Sequence, residues 1–352
     1  MQDYNFPLAL TYDDVLLIPQ YSEINSRRDV SLKTKITQKI ELDLPIISIN
    51  MDTVTGPEMA TELRRLGGIS FYPRFKPPVE QAKEVKALID AGVMVIPAIG
   101  IKESEKERVR ELVNAGATCL TIDVAHGHLK ASIDMIKFIK SEYPSVEVIA
   151  GVVGTYEGAK DLFAAGAETV RVGVGPGTIC TTRQQTGFGV PQITATLEAV
   201  RAAREMGGIV ITDGGTKLSG DIVKALAAGS NAVAVGSMLA ATKEAPGTVI
   251  EYNGKLYKEY NGSTSKKEKL KQYETHSHDK HDKYTVHVEG VEALVPYKGT
   301  LEEVVASLEA GIRSGYSYAG ARNIEELHKN AKFMRVTPIS VQENGAHGVI
   351  LQ

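Results

Sequence analysis

The sequence contains no tryptophan and only two cysteines, Cys119 and Cys180, among its 352 residues. Two cysteines are too few for a disulfide framework, which favours a reducing compartment. The longest mostly apolar stretch, residues 225–241, is interrupted by glycines and polar residues, so no segment is predicted to span a bilayer. The first residues show no basic segment followed by an apolar core, so no signal peptide is predicted. We therefore expect a cytoplasmic protein.

Neither sign of charge is in excess. The chain has 40 basic and 43 acidic residues, for a net charge of -3, which gives no reason to expect general binding to nucleic acid or to a membrane surface. Hydrophobic residues make up 43% of the chain and charged residues 24%, which excludes extensive disorder. The 33 glycines have no collagen-like period, so they indicate turns and close approaches of the backbone.

Eight short runs rich in apolar residues recur along the chain with helical patterns between them. They span residues 44–50, 68–72, 93–100, 118–125, 147–153, 169–175, 209–215 and 231–237. Continuous apolar character indicates burial on both faces, as in a parallel sheet. Eight strand–helix units without a Pro/Ser-rich linker favour an α/β fold, a single (β/α)8 TIM barrel, over two open-sheet domains.

Two intervals break this rhythm. Residues 175–192 separate the sixth and seventh strands, and the strongly polar residues 252–299 follow the eighth, where we predict a mobile flap. In a barrel both segments leave the carboxyl ends of strands, where active sites are found. We expect one catalytic domain, residues 1–352, with this loop, the flap and a C-terminal tail.

Cys180 is placed at the tip of a loop rich in glycine and proline, GPGTICTTR (175–183). A partly exposed thiol there suits a nucleophile, with Arg183 as a cation to favour the thiolate and Thr182 as a proton relay. Cys119, in contrast, falls inside an apolar strand and is interpreted as structural.

Glycines also end the seventh and eighth strands, in DGG (213–215) and at Gly236 before Ser237. Glycines at these two positions let backbone N–H groups approach a phosphate. The Asp213 carboxylate would then accept hydrogen bonds from a ribose diol. The alternative interpretation is that both segments are tight turns without a ligand.

These motifs resemble those of the IMP dehydrogenase/GMP reductase family. GPGTICTTR (175–183) is similar to its cysteine loop, LTYDDVLLIP (10–19) to its N-terminal motif and NMDTVT (50–55) to its first-strand motif. DGG (213–215), GSMLA (236–240), GIRSG (311–315) and FMRVT (333–337) follow in order. The resemblance runs over nearly the whole chain.

The resemblance implies a homotetrameric barrel enzyme that acts on a purine 5′-monophosphate with a nicotinamide cofactor. Cys180 would form a covalent thioimidate at C2 of the purine, and Thr182 and Glu289 would handle protons. The residues implied in substrate binding are Met51, Thr178, Asp213, Gly215, Gly236, Ser237, Tyr260 and Gly262.

The resemblance also implies two further binding sites. Asp123 and Ala125 would lie near the cofactor. A monovalent-cation site, for potassium, would use the carbonyl groups of three loop residues and two residues of a neighbouring chain. These are Gly175, Gly177 and Cys180, with Glu343 and Gly345.

Two activities exist within the family. A dehydrogenase oxidises IMP with NAD and hydrolyses the intermediate, whereas a reductase converts GMP to IMP and ammonia with NADPH. The second strand runs directly into the next helix, which leaves no room for the pair of CBS modules that dehydrogenases usually carry. Gln272-Tyr273 stands where a dehydrogenase flap has an Arg-Tyr pair, and a neutral amide does not replace a guanidinium.

Other residues divide between the two activities. Asn50 and Thr186-Gly187 are similar to reductases, while residues 190–194 and 340–349 resemble dehydrogenases. Val152 stands where both usually have asparagine near the purine. The sequence therefore favours an NADPH-dependent GMP reductase. Its alternatives are an IMP dehydrogenase without CBS modules, using NAD, and a non-catalytic nucleotide-binding relative.

Overall fold

Eight parallel strands close into a barrel in the order in which they occur along the chain. The computed structural model describes residues 6–275 and 288–345, apart from the side chains of residues 271–275. The strands are β1 (Ile46–Ser48), β2 (Ile69–Tyr72), β3 (Ile96–Ile99), β4 (Cys119–Asp123), β5 (Glu147–Val153), β6 (Thr169–Val172), β7 (Ile209–Asp213) and β8 (Ala232–Val235). Pairing of β8 with β1 closes the ring. The predicted (β/α)8 barrel is confirmed, and each predicted run contains one strand.

Helices follow the strands and cover the outside of the barrel. The eight long ones are Pro57–Arg65, Pro78–Asp90, Glu105–Asn114, Lys130–Glu142, Tyr156–Ala164, Gln192–Met206, Ser219–Ala227 and Leu301–Tyr318. The last begins at a capping box, in which Thr300 and Glu303 bond each other's backbone N–H groups. This helix completes the barrel after the flap, so the C-terminal tail begins only beyond the next helix, Ile324–Asn330.

A hairpin closes the amino end of the barrel. Its two strands, Thr34–Lys35 and Glu41–Leu42, are antiparallel, and Ile36 and Ile40 join the buried residues of the barrel interior. The hydroxyl of Thr169 donates to the Ile36 carbonyl at 2.6 Å. The hairpin side chains fill the amino end of the barrel. A cavity for a ligand is therefore expected at the carboxyl ends of the strands.

Cys119 belongs to the same interior cluster and is 1% exposed. Burial raises the pKa of its thiol well above the usual range, which keeps it protonated and unreactive. The interpretation of Cys119 as structural therefore agrees with its position.

The flap contains regular structure. Strands β9 (Val249–Tyr252), β10 (Lys255–Asn261) and β11 (Glu292–Pro296) form an antiparallel sheet, and a helix spans Lys266–Thr275. The sequence analysis did not predict this sheet and helix within the polar flap, and polar groups of these segments find partners in the fold. Lys258, for example, is 3% exposed and donates to the Ala245 carbonyl at 2.6 Å. Residues 276–287 of the flap lie outside the described residues.

The two ends of the described chain meet beside the barrel. Val15–Leu17 pairs antiparallel with Phe333–Arg335, two segments that lie within motifs quoted above. Among the helices of residues 6–275 and 288–345, none combines the length and the apolar character needed to cross a membrane.

Candidate active site

The carboxyl ends of the strands and the flap surround a cavity of about 270 Å³. Every residue proposed for nucleotide or cofactor binding lines it: Met51, Asp123, Ala125, Thr178, Asp213, Gly215, Gly236, Ser237, Tyr260 and Gly262. So do Gly175, Gly177, Cys180, Thr182 and Glu289. The fold therefore brings together residues that are far apart in sequence, as the resemblance implied.

Three side chains form a continuous relay at the cysteine loop. The Sγ of Cys180 lies 3.1 Å from Oγ1 of Thr182, and that hydroxyl donates to Oε2 of Glu289 at 2.7 Å. Cys180 is half-buried, so its thiol borders the cavity. A proton can pass between a group bound at Cys180 and the Glu289 carboxylate through one hydroxyl.

Backbone pairing holds this relay in place. The N–H of Thr181 donates to the Glu289 carbonyl at 2.8 Å, and the N–H of Val291 donates to the Ile179 carbonyl at 3.1 Å. These two bonds flank the bridge between Cys180 and Gly290. The segment that returns from the flap is thus attached to the cysteine loop, with Glu289 beside Thr182.

Arg183 is engaged within the cysteine loop. Its guanidinium donates to the Val190 carbonyl at 2.8 Å. A Cβ added at Gly189 would lie 2.6 Å from its Nε, so the glycine leaves room for the side chain. The guanidinium therefore holds the later part of the cysteine loop, from Arg183 to Val190, and its expected effect on the thiol stays a prediction.

The glycine turns after β7 and β8 also line the cavity, and the turn after β7 adjoins the cysteine loop at Pro176. Gly214 and Gly215 have φ angles of +80° and +82°, which only glycine adopts without strain. A Cβ added at Gly236 would lie 2.5 Å from the hydroxyl of Tyr260. Burial raises the pKa of that hydroxyl, so Tyr260 stays protonated and able to donate. A donor beside exposed backbone suits an anion such as phosphate.

Sequence reasoning missed Arg171, which lies at the floor of the cavity and is 1% exposed. Its Nε and Nη2 both donate to Oδ2 of Asp213, at 3.0 and 2.6 Å. Nη2 also donates to Oδ1 of Asn50 at 3.1 Å. The available signal was a lone charge inside the apolar strand Thr169–Val172, because a buried charge needs a partner.

Arg74 was also missed. It follows β2 and lines the cavity, with its Nη2 donating to the Asp123 carbonyl at 3.3 Å. Its Nε lies 3.6 Å from the Asp123 carboxylate, and its guanidinium stacks over the ring of Phe75 at 4.8 Å. Asp123 therefore lies between two arginines, since Arg171 Nη1 is 3.6 Å from its other oxygen.

A second cavity of about 450 Å³ adjoins the first. Ala125, Thr182 and Glu289 line both cavities, so the relay stands between them. Its walls are largely apolar, with Val153, Val174, Phe188 and Val190, together with His126 and His128. Within residues 6–275 and 288–345, no three His, Cys, Asp or Glu side chains gather to hold a metal ion.

The remaining predicted residues are placed elsewhere. Glu343 ends the short helix Pro338–Glu343, and both it and Gly345 are exposed and away from the cavity of their own chain. Val152, the departure from the usual asparagine, lines the first cavity. The side chains of Gln272 and Tyr273 lie outside the described residues.

Known proteins match the chain over almost its whole length. Residues 9–347 match the family described as IMP dehydrogenase / GMP reductase domain. This chain belongs to the IMP dehydrogenase/GMP reductase family. The resemblance drawn from the motifs is confirmed. As a member of this family, the protein is an oxidoreductase that acts on purine nucleotides with a nicotinamide cofactor.

Three relatives show how the family compares in length. The inosine-5′-monophosphate dehydrogenase of Nitrosopumilus maritimus is 34% identical over 473 residues, covering 98% of this chain and 99% of the relative. That of Aquifex aeolicus is 35% identical over 471 residues, covering 97% and 96%. That of Borreliella burgdorferi is 36% identical over 395 residues, covering 97% of each.

The lengths of these alignments bear on the choice within the family. All three exceed the 352 residues of this chain, the first two by more than 110 residues and the third by 43, so these relatives contain segments that are absent here. The Borreliella alignment is much shorter, although the relative carries the same name. A short chain therefore does not separate reductases from dehydrogenases in this family.

Proposed function

We propose that the protein is an IMP dehydrogenase, which oxidises IMP to XMP with NAD as hydride acceptor and water as the source of oxygen. The observation that carries this proposal is the similarity to relatives named inosine-5′-monophosphate dehydrogenase, at 34–36% identity over 97–98% of this chain. The relay from Cys180 through Thr182 to Glu289 gives the hydrolytic step a path for its proton. The dehydrogenase, an alternative in the sequence analysis, thus has more support than GMP reductase.

The relay changes the argument that favoured a reductase. That preference depended on the missing flap arginine, without which the hydrolytic step had no evident base. Glu289 is a carboxylate within 2.7 Å of the Thr182 hydroxyl, which in turn lies 3.1 Å from the reacting sulfur. A water molecule at the position attacking C2 can lose its proton through Thr182 to Glu289.

The mechanism uses this chain's residues in two steps. In the first step, the Cys180 sulfur forms a bond to C2 of IMP, and the thiol proton leaves through Thr182. The hydrogen at C2 departs as a hydride, which NAD accepts when it is bound. In the second, water adds to C2, its proton passes to the relay, and the carbon–sulfur bond breaks to release XMP. Dividing the oxidation at a thioimidate lets one site handle both steps.

The first cavity supplies groups for each part of the nucleotide. The turns at Gly215 and Gly236, with Tyr260, face the 5′-phosphate, and the Asp213 carboxylate accepts from the ribose. Met51 lines the same cavity as Cys180 and would lie beside the purine. C2 of a base bound in this way would lie at the sulfur, and this proximity would favour the covalent step.

The second cavity fits a dinucleotide cofactor. Its valine and phenylalanine side chains offer flat apolar surface to a nicotinamide ring, next to Thr182 and Glu289. Asp123 and Ala125 would lie where the two ligands meet. None of the described residues lining this cavity is a lysine or arginine, and its basic side chains are those of His126 and His128. This composition favours NAD over NADPH.

GMP reductase is the second candidate. The relay also runs in the opposite direction, from Glu289 through Thr182 to an amine leaving C2, and Asn50 and Thr186 are similar to reductases. A reductase would deliver a hydride to the Cys180 adduct after ammonia leaves. The geometry of the relay is compatible with both directions, so the substrate assay decides.

One assay separates the candidates. The purified full-length protein is mixed with IMP and NAD, or with GMP and NADPH, and absorbance is followed at 340 nm. We expect NADH to form with the first pair, and XMP to be found by chromatography. Consumption of NADPH with ammonia release, and no reaction of IMP, would establish the reductase instead. Binding of IMP without either reaction would establish a non-catalytic relative.

Three further properties of the single catalytic domain are proposed from the resemblance. The protein would be a cytoplasmic homotetramer, which light scattering tests by its mass. Potassium would bind the carbonyls of Gly175, Gly177 and Cys180, with Glu343 and Gly345 of a second copy. Replacing potassium by lithium should then lower kcat, while loss of the C-terminal Glu343 side chain should remove the response to potassium.

A further inference from the structure

Arg171 uses each of its guanidinium nitrogens inside the barrel. Nε and Nη2 donate to Oδ2 of Asp213, Nη2 also donates to Oδ1 of Asn50, and Nη1 donates to Oγ1 of Thr121 at 3.2 Å. The ring of Phe71 lies under the guanidinium, 4.6 Å from its centroid. The side chain is therefore fixed on several sides, with its charge directed at Asp213.

This arrangement leaves one oxygen of Asp213 outside the ion pair. Both bonds from Arg171 go to Oδ2, whereas the carboxylate lines the nucleotide cavity with 7% of the side chain exposed. Oδ1 is thus the oxygen left to accept from a ligand hydroxyl. A carboxylate fixed through one oxygen presents the other in one direction, which a freely rotating carboxylate does not.

We infer that Arg171 is a positioning residue for ribose recognition, which keeps Asp213 ionised and oriented so that the site distinguishes a ribose from a 2′-deoxyribose. This inference rests on the proposed role of Asp213 in binding the nucleotide ribose. Arg171 acts through Asp213. The preference between ribose and 2′-deoxyribose is therefore determined by this buried pair, which comes from β6 and β7.

The charges around Asp213 explain why it needs this partner. Burial raises the pKa of the Asp213 carboxyl, the Arg171 guanidinium opposes that rise, and the neighbouring Asp123 adds to it. Tyr12 and Tyr260 are both buried, and the negative charge of Asp213 adds to the effect of burial in raising the pKa of each hydroxyl. Without Arg171, the carboxyl would be protonated at higher pH and would lose its single orientation.

The experiment compares IMP with 2′-deoxy-IMP. IMP is the substrate of one candidate reaction and the product of the other, so it binds in either case. Dissociation constants are measured by calorimetry on the full chain without cofactor, for the wild type, Arg171→Met, Asp213→Asn and the double variant. We expect the wild type to prefer IMP by about 10-fold and each variant to prefer it by less than about 2-fold.

The double variant tests whether the two residues act together. If Arg171 works through Asp213, the double variant binds IMP about as well as Asp213→Asn alone, so the two losses are not additive. We also expect the pH at which half of the IMP affinity is lost to be higher in Arg171→Met than in the wild type. A role confined to folding would change neither the sugar preference nor this pH.

Arg108→Met is the matched control, because Arg108 is also 1% exposed and pairs with Glu105 at 2.9 Å, but lies among the outer helices. It should keep the wild-type preference for IMP over 2′-deoxy-IMP. If Arg171→Met does not fold, Arg171→Lys is measured instead. The lysine ammonium makes one point contact where the guanidinium makes two bonds to Asp213, so this variant should lower the preference for IMP over 2′-deoxy-IMP.

Two results would overturn the inference. A folded Arg171→Met or Arg171→Lys protein with the full wild-type preference would show that Asp213 needs no such partner, and so would additive losses in the double variant. Failure of the proposed role of Asp213 gives a different result, because the wild type itself would then not bind IMP or would bind both nucleotides equally. Failure of the dehydrogenase activity alone would leave IMP binding and the sugar preference of the wild type intact.

Discussion

Thr182 donates a hydrogen bond of 2.7 Å to the carboxylate of Glu289, although 107 residues separate the two in sequence. The Thr182 proton is used in this bond, so a lone pair of its oxygen remains for a proton arriving from the sulfur or from water near Cys180. Thr182 as a residue is 9% exposed, and this burial limits exchange of that proton with bulk solvent. In the proposed dehydrogenase, this pair would be the base for the hydrolytic step.

Replacing Glu289 by glutamine should slow hydrolysis more than hydride transfer. We expect kcat to fall by about 10² to 10³-fold with little change in the KM for IMP, because an amide accepts no proton from the relay. For a dehydrogenase, rapid mixing should show a burst of one NADH per site before slow turnover. Glu292→Gln, a nearby exposed carboxylate that accepts the Lys267 N–H at 3.0 Å, should leave kcat unchanged. Slow NADH formation without a burst would contradict the assignment.

Replacing Cys180 by alanine should abolish turnover while leaving the nucleotide bound. The reaction rate should fall by more than about 10³-fold, since no other group forms the bond to C2, and the Kd for IMP should change by less than about 3-fold. Cys119→Ala is the control: it should keep the activity and lower the free energy of unfolding by about 1 kcal/mol, through a small cavity in the barrel interior. Turnover by Cys180→Ala would rule out covalent catalysis.

Tyr260 should contribute to phosphate binding through its hydroxyl. Tyr260→Phe removes a buried donor beside Gly236, so the Kd for IMP should rise by about 10-fold. The Kd for inosine, which has no phosphate, should not change. Tyr257→Phe, three residues earlier in the same strand, should affect neither ligand. An equal loss of affinity for IMP and inosine would place Tyr260 against the nucleoside.

His328 should make the free energy of unfolding depend on pH. Its Nε2 donates to the Ser230 carbonyl at 3.1 Å, and burial lowers the pKa of the imidazole from 6.5. A lowered pKa means that the folded state favours the neutral ring. The contribution is complete above pH 6.5 and is lost as pH falls through the folded-state pKa, at up to about 1.4 kcal/mol per pH unit.

Urea unfolding between pH 7.5 and 5 measures this effect. His328→Gln should flatten the pH dependence of the unfolding free energy over this range. The matched control is His128→Gln, because His128 is half-exposed and pairs with Asp161 on the surface. An unchanged slope in His328→Gln would assign the pH dependence to other groups.

Sequence patterns predict the barrel because burial on both faces of a strand leaves a continuous apolar run. The fifth run was predicted to the residue, as Glu147–Val153. The flap sheet was missed because β10 carries Lys255, Lys258 and Glu259, and such a composition resembles a loop. Its partners, including the Ala245 carbonyl, come from other segments, and no local pattern contains them.

In the active site, too, local motifs predicted some residues, whereas residues that depend on distant partners were missed. Motif resemblance placed the nucleotide-binding residues in one cavity because each motif ends a strand at the same rim of the barrel. It did not find Arg171, whose partners Asn50 and Asp213 are 121 and 42 residues away. A single sequence shows that a lone charge is present, whereas only the closed barrel shows what neutralises it.

The flap leaves and rejoins the barrel at one narrow stem. Gly262 donates its N–H to the Val291 carbonyl at 3.0 Å, and a Cβ on Gly262 would lie 3.1 Å from Cα of Gly290. Glu289 stands at this stem, so the reacting groups are anchored independently of the chain farther out. A substitution confined to the chain beyond this stem therefore leaves in place the backbone bonds that hold Glu289 beside Thr182.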